Sequence, residues 1–462
     1  MNRIVPIVLA VALFTENMDS TVIATSLPVI AADLGTSPIA LKLALTSYYV
    51  SLAIFIPISG RLADSWGPKF VFRLAIAVFV IGSLACAFAS SLEGFVGARF
   101  VQGMGGAMMT PVGRLLLVRA VPKSDLVNAM AWFTIPALIG PLVGPPIGGA
   151  ISTYGDWRWI FLINLPIGIA GILLATRYLP QIDRVKGVRF DFPGFLLSGF
   201  ACAGIVFGFS VVSLPALPPI VGPVMAGAGI VAAIFYVVHA RRTENPVLKL
   251  SLFRIETLRA AIVGGALFRV GAGATPFLLP LMLQLGFGYT PFQSGLITCV
   301  SIGGAMGMKL LAHPILKRLG FRTTLIATAL VGGGMMAAIG FYRPDSPIAI
   351  VLLLLLVGGF FRSLFFTSIN ALAFADVPRQ ATGDATALMG ALQQVSVATG
   401  VAVAGAVLEA GMALSGSSEA SLADFSTAFF VVGAITAAAA LVYLPLTREA
   451  GDEVAGRRLP AE

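Results

Sequence analysis

IVPIVLAVALFTENMDSTVIATSLPVIAA, residues 4–32, is a near-continuous apolar run long enough to cross a bilayer, with two carboxylates, Glu16 and Asp19, near its middle. A charge at that depth costs roughly 3 kcal/mol on insertion scales, so it is normally paired, protonated or turned toward a watery cavity. The i, i+3 spacing puts both acids on one helix face, where they can share one cavity. The run is too long for the apolar core of a signal peptide and lacks a small-residue cleavage site, so it reads as a retained span.

The rest of the chain fits that reading. Its 462 residues are 58% hydrophobic and only 11% charged, with a mean hydropathy of +0.95. A soluble domain carries about 25% charged residues, so the composition is that of an integral membrane protein. Cys86, Cys202 and Cys299 lie far apart within apolar runs. They read as small buried hydrophobes, not as a disulfide framework or metal site. The net charge of +9 does not indicate nucleic acid, because the basic residues are interleaved between apolar runs.

At about 20 apolar residues per crossing, fourteen spans are expected. They lie near 5–27, 44–63, 70–90, 94–117, 127–151, 158–179, 192–213, 217–239, 259–282, 292–312, 322–342, 347–373, 384–410 and 425–446. Twenty-two of the 30 Lys and Arg fall on the side holding both termini, among them Arg3, Lys123, Lys186, Arg189, Arg457 and Arg458. Only Lys42, Arg158 and Arg343 fall in the loops opposite. The positive-inside rule therefore puts both termini in the cytoplasm. The tail after Arg448 is brief and polar, and is expected to be disordered.

GRLADSWGPKFVFR (Gly60–Arg73) follows the second span, and HPILKRLGFRTTL (His313–Leu325) follows the tenth. Setting Gly67 on Gly320, 253 residues apart, also sets Lys69 on Arg322. Repeated halves with a midplane site are a common transporter plan. The expected organisation is a six-helix bundle at 1–189, a two-helix insertion at 190–242, a second six-helix bundle at 243–448 and a cytoplasmic tail at 449–462. The fold class is all-α integral membrane.

In the 60–73 loop, glycines permit a tight reversal, Asp64 can accept from amides or arginines, and Arg61, Lys69 and Arg73 hold the turn in the cytoplasm. The pattern resembles the signature loop of the major facilitator superfamily, G-x-L-a-D-r-x-G-r-k, at Gly60, Leu62, Ala63, Asp64, Gly67 and Lys69. Ser65 and Pro68 depart from it where basic residues are usual. ARFVQGMGGAMMTPVGR (Ala98–Arg114) resembles the family's fourth-span motif at Arg99, Gln102 and Gly103. An arginine inside a span needs a partner, and an acid on the first span is the natural candidate. Arg114, near a cytoplasmic end, can snorkel.

IGPLVGPPIGGA (Ile139–Ala150) resembles the motif of the superfamily's antiporters at Gly140, Gly144, Pro145, Gly148 and Gly149. Small residues there let helices approach, and prolines bend the helix at a hinge. MDSTVIATSLP (Met18–Pro28) matches the first-span motif of the fourteen-spanner drug:proton antiporters at Asp19, Thr21, Leu27 and Pro28, departing at Ala24. WRWIFLINLPIGI (Trp157–Ile169) is similar to that branch's sixth span. The resemblance covers nearly the whole chain and implies a major facilitator fold with two additional central spans.

Arg269 and Arg362, near the middles of the ninth and twelfth spans, and Gln393 on the thirteenth could line the cavity from the second half. Helix-gluing is the competing role for Gln393. Lys309 can snorkel, and Glu409 reads as interfacial. His239 and His313 belong to no metal-spacing cluster, and no Walker loop is present.

The expected function is proton-coupled export of hydrophobic compounds, cations among them. Asp19, Glu16 and Arg99 would couple to protons, and the energy source would be the proton gradient, with no cofactor. In the outward state Asp19 takes a proton; in the inward state it releases the proton and binds substrate. Burial and a neighbouring guanidinium act on a carboxylate in opposite directions, which can place this exchange in a usable range. A dedicated exporter of an amphipathic or anionic metabolite is the alternative, motivated by Arg269 and Arg362. A transport-dead receptor or scaffold is disfavoured by the costly midspan charges. No catalytic nucleophile–base pair stands out, so no enzyme is expected. Expected partners are the lipid bilayer, protons and a small hydrophobic substrate, with no nucleic acid. A monomer in a bacterial inner membrane is expected, and periplasmic efflux partners are left open.

Overall fold

Hydrocarbon offers no hydrogen bonds, so an apolar run of this length must pair its amides within itself, and the helix does so. The computed structural model describes residues 4–122, 125–184, 190–211, 218, 220–309 and 311–455, and no strand occurs among them. The helices are α1 (Ile4–Val22), α2 (Leu27–Asp33), α3 (Lys42–Trp66), α4 (Pro68–Ala87), α5 (Leu92–Ala120) and α6 (Leu126–Tyr154). There follow α7 (Trp159–Leu162), α8 (Asn164–Tyr178), α9 (Phe192–Val211), α10 (Val221–Arg242), α11 (Glu256–Leu281) and α12 (Pro291–Met308). The chain ends with α13 (Ala312–Ile339), α14 (Ile348–Ala373), α15 (Thr382–Ser415), α16 (Leu422–Tyr443) and α17 (Asp452–Ala455).

Among the described residues, eleven helices are long and apolar enough to cross a membrane, against the fourteen spans expected. α5, α6 and α12 are not among the eleven. α5 carries Arg99, Gln102 and Arg114 among its glycines, and α12 opens on Pro291, Gln293 and Ser294, which lowers the mean hydropathy of both. The tail is not wholly irregular, because α17 forms a helical turn within it. Arg3, Lys123, Lys186, Arg189, Arg457 and Arg458, which carry part of the charge asymmetry, lie outside the described residues.

The chain divides into two compact units. The first comprises Met1–Gly208, Val224–Val247 and Tyr289–Leu296; the second comprises Phe209–Pro223, Leu248–Gly288 and Ile297–Glu462. The core of the first unit joins Leu9 and Leu13 of α1, Phe72, Ile76 and Phe79 of α4, and Met109 and Val112 of α5. In the second unit, Phe268 of α11 stacks on Phe365 of α14 with centroids 3.7 Å apart and planes 9° from parallel.

The turn between α3 and α4 falls on Gly67, at φ 91° and ψ 130°. Gly320, the residue set against it 253 positions later, has φ 74° and ψ 168° and kinks α13. Positive φ with extended ψ is essentially a glycine conformation. Each turn aims a cation at the end of another helix. Lys69 Nζ donates to the Thr176 and Leu179 carbonyls at 2.9 and 2.6 Å, at the C-terminus of α8. Arg322 Nη2 donates to the Leu444 carbonyl at 2.7 Å, just past α16. Both cations thus meet carbonyls that have no partner within their own helix.

Candidate functional site

The helix carrying Arg99 starts at Ser91, whose hydroxyl accepts from the Gly94 amide at 3.1 Å. Beyond that cap, small residues bring α5 close to its neighbours. A Cβ at Gly103 would stand 2.7 Å from the Tyr48 carbonyl of α3, and one at Gly105 would run into the Phe79 backbone of α4. Gly82 of α4 likewise leaves room for the Gln102 backbone. This close approach lets short polar side chains from several helices meet.

They meet at Asp19, which is fully buried. Its Oδ2 accepts from Arg99 Nη1 at 2.7 Å. Its Oδ1 accepts from Gln102 Nε2 and from Asn164 Nδ2 of α8, each at 2.8 Å. The Ser83 hydroxyl of α4 accepts from the same two amides, at 2.7 and 3.2 Å. Arg99 also donates to Gln102 Oε1, and its Cζ lies 4.3 Å from the Tyr48 ring centroid and 5.9 Å from that of Phe161. Arg99 Nε, Asn164 Oδ1 and the Tyr48 hydroxyl are buried without a hydrogen-bond partner among the described residues. A charge pair in such a place persists because three side-chain donors, from Arg99, Gln102 and Asn164, converge on the carboxylate.

Glu16, one turn earlier on α1, is only half-buried. Its Oε2 accepts from Thr110 Oγ1 of α5 at 2.6 Å. The two acids share a helix but not a partner. Ser83, Thr110 and Asn164 escaped sequence reasoning, because neutral polar residues inside spans are common and usually glue helices. The one available signal was Asn164, an amide inside the apolar stretch after Trp159.

α1 is held by α6. A Cβ at Gly140 would stand 2.9 Å from the Phe14 carbonyl, one at Gly144 would meet Thr21, and one at Gly148 would meet the Val22 carbonyl. Thr25 and Ser26 donate to the Pro145 and Gly148 carbonyls, each at 3.3 Å. Gly149 faces instead the Pro291 backbone. The glycine stripe thus lies along the helix that carries Asp19.

At the 60–73 turn, Asp64 Oδ1 accepts from Arg119 Nη2 at 2.8 Å, and both side chains are about 30% exposed. Arg61 Nη2 donates to the Pro246 carbonyl at 2.8 Å. Nothing crowds Gly60, and the Nε of Arg73 is buried without a hydrogen-bond partner among the described residues. Nearby, His239 Nε2 lies 2.7 Å from Asp191 Oδ1, a pairing with no sequence signal.

In the second unit Arg269 is 6% exposed, and its Cζ lies 5.1 Å from the Phe366 centroid. It shares a cavity with Gln393 and Ser396. Arg362 is set apart from it, in another cavity with Met335, Met336 and Phe268, where its Nη2 lies 3.5 Å from Ser301 Oγ. Of the three residues expected from this half, Arg269 and Gln393 come together and Arg362 does not. No group of three metal-ligating side chains occurs among the described residues.

Apolar helices enclosing charges at their mid-length define a multi-pass membrane transporter. The chain belongs to the major facilitator superfamily, whose family model matches residues 9–401 and again 261–461. It is 36% identical to the probable transport protein HsrA of Haemophilus influenzae, over 98% of this chain and 97% of that one. It is also 36% identical to the putative multidrug resistance protein MdtD of Salmonella heidelberg, over 87% of this chain and 85% of that one. Among solved structures, a D-xylose-proton symporter superposes with a TM-score of 0.68 at 14% identity, covering 97% of this chain and 98% of that one. A POT family peptide transporter gives 0.65 at 18% identity, covering 98% of each chain. These two likenesses concern the fold.

Proposed function

We propose that this transporter exports hydrophobic compounds, cations among them, in exchange for protons by alternating access. The observation that carries the reading is the pair of intramembrane carboxylates on α1: Asp19 on the Arg99–Gln102–Asn164 cluster, and Glu16 on Thr110. Such groups are costly inside a bilayer and mark ion or proton pathways. The likeness to proteins carrying a putative multidrug resistance name supports the same reading.

Open to the exterior, a carboxylate takes up a proton. Open to the cytoplasm, it releases that proton and its charge attracts the cationic group of the cargo. Asp19 can exchange only when Arg99 and the two amides let go, so its exchange is tied to a rearrangement of α1, α5 and α8. Glu16 is half-buried with a single hydroxyl partner among the described residues, and is the readier of the two to meet cargo. We place the protein in a bacterial cytoplasmic membrane with both termini inside.

The test is ethidium-driven proton release from liposomes holding the purified protein under an imposed pH gradient. Transport by the wild type, abolished in Asp19→Asn and weakened in Glu16→Gln, is the expected result. Full-rate uphill transport by both variants would remove the carboxylates from the coupling step.

A further inference from the structure

The buried cation on α11 has no counter-charge among the described residues. Arg269 makes no ion pair or hydrogen bond among the described residues, although it is 6% exposed. Its guanidinium lies over the Phe366 ring and lines a cavity shared with Ile262, Met389, Gln393 and Ser396. The cavity is small, with room for about one water-sized group, such as a single carboxylate oxygen, and not for a drug-sized molecule. Gln393 adds an amide donor with no side-chain partner among the described residues. The Ser396 hydroxyl is committed to the Leu392 carbonyl at 2.6 Å. A buried charge left uncompensated is strongly unfavourable, and a fork of N–H donors suits a carboxylate.

We propose that the second unit binds the carboxylate of an amphiphilic organic acid between Arg269 and Gln393, so that the transporter's cargo includes anionic and zwitterionic amphiphiles. This rests on the chain being an exporter of hydrophobic compounds and names a further class of them. Arg362 is assigned no such role, because it sits in another cavity and faces the Ser301 hydroxyl.

The experiment is equilibrium binding of decanoate to the full-length protein in detergent, with decyltrimethylammonium, decanol and sodium chloride as comparison probes. Wild type should bind decanoate, and Arg269→Gln should weaken it by about tenfold or more, the scale of a hydrogen bond to a charged group. Gln393→Leu should weaken it a few-fold, while Arg362→Gln leaves it unchanged. Binding of decyltrimethylammonium should be indifferent to Arg269→Gln. Without ligand, Arg269→Gln should melt no lower than wild type, since it removes an uncompensated charge; this separates loss of a site from loss of the fold. Unchanged decanoate affinity in a folded Arg269→Gln protein would overturn the proposal. So would equal binding of decanol, or displacement of decanoate by an equal concentration of chloride. Ethidium-driven proton release is scored separately: its absence would refute proton-coupled cation export and leave the carboxylate site standing.

Discussion

Asp19 and Arg99 hold one another buried from the surface, so neither tolerates the loss of its partner. Arg99→Met should destabilise the protein by about 3–5 kcal/mol, the cost of stranding a buried charge. The pair Asp19→Asn with Arg99→Met should recover part of that loss, read from thermal unfolding in detergent. A single variant within about 1 kcal/mol of wild type would show that the pair is not a structural tie. Asn164→Leu, which removes one donor from the carboxylate, should cost about 1–3 kcal/mol by the same measurement. That Arg99 meets an acid of the first span could be read from the sequence, because each charge interrupts an apolar run and each demands a partner. Nothing comparable announces Ser83 or Thr110: a hydroxyl inside a span can bond its own helix, as Thr15 does with the Val11 carbonyl, so its presence names no partner. Nor could spacing tell Glu16 from Asp19, since i, i+3 places them on one face and leaves their partners to the packing.

The glycines of α6 matter by register. At Gly148 an added methyl meets the Val22 carbonyl, whereas at Gly60 it meets open space. Gly148→Ala should therefore cost about 1–3 kcal/mol through overpacking, while Gly60→Ala, inside α3, should be neutral or stabilising by up to about 1 kcal/mol. Equal melting temperatures for the two variants would contradict the close α1–α6 packing. Gly67→Ala and Gly320→Ala test a different property, backbone conformation, and each should cost about 1–3 kcal/mol. The sequence marked α6 as a helix that packs closely, because small residues recur every four positions. It could not say that the stripe lies along the acid-bearing helix, which is a fact of tertiary arrangement.

For the whole molecule, the asymmetry of Lys and Arg makes a topological prediction. Green fluorescent protein fused after Glu462 should fluoresce in the cytoplasm, and alkaline phosphatase fused there should be inactive; the reverse would mean an odd number of spans or an inverted chain. The all-helical plan was legible from hydropathy, and the likeness of the two glycine turns from one pair of loops, since both follow from local composition. The span count was less so: the charges of α5 and the polar opening of α12 lower the hydropathy by which spans are recognised. The paired turns at Gly67 and Gly320 have a consequence of another kind. Lys69 and Arg322 grip main-chain carbonyls, which every residue type presents alike, so the receiving ends of α8 and α16 are free to drift in sequence without breaking the grip. Mutational tolerance should be lopsided across each contact, strict at the cation and its glycine and permissive at the helix that they hold.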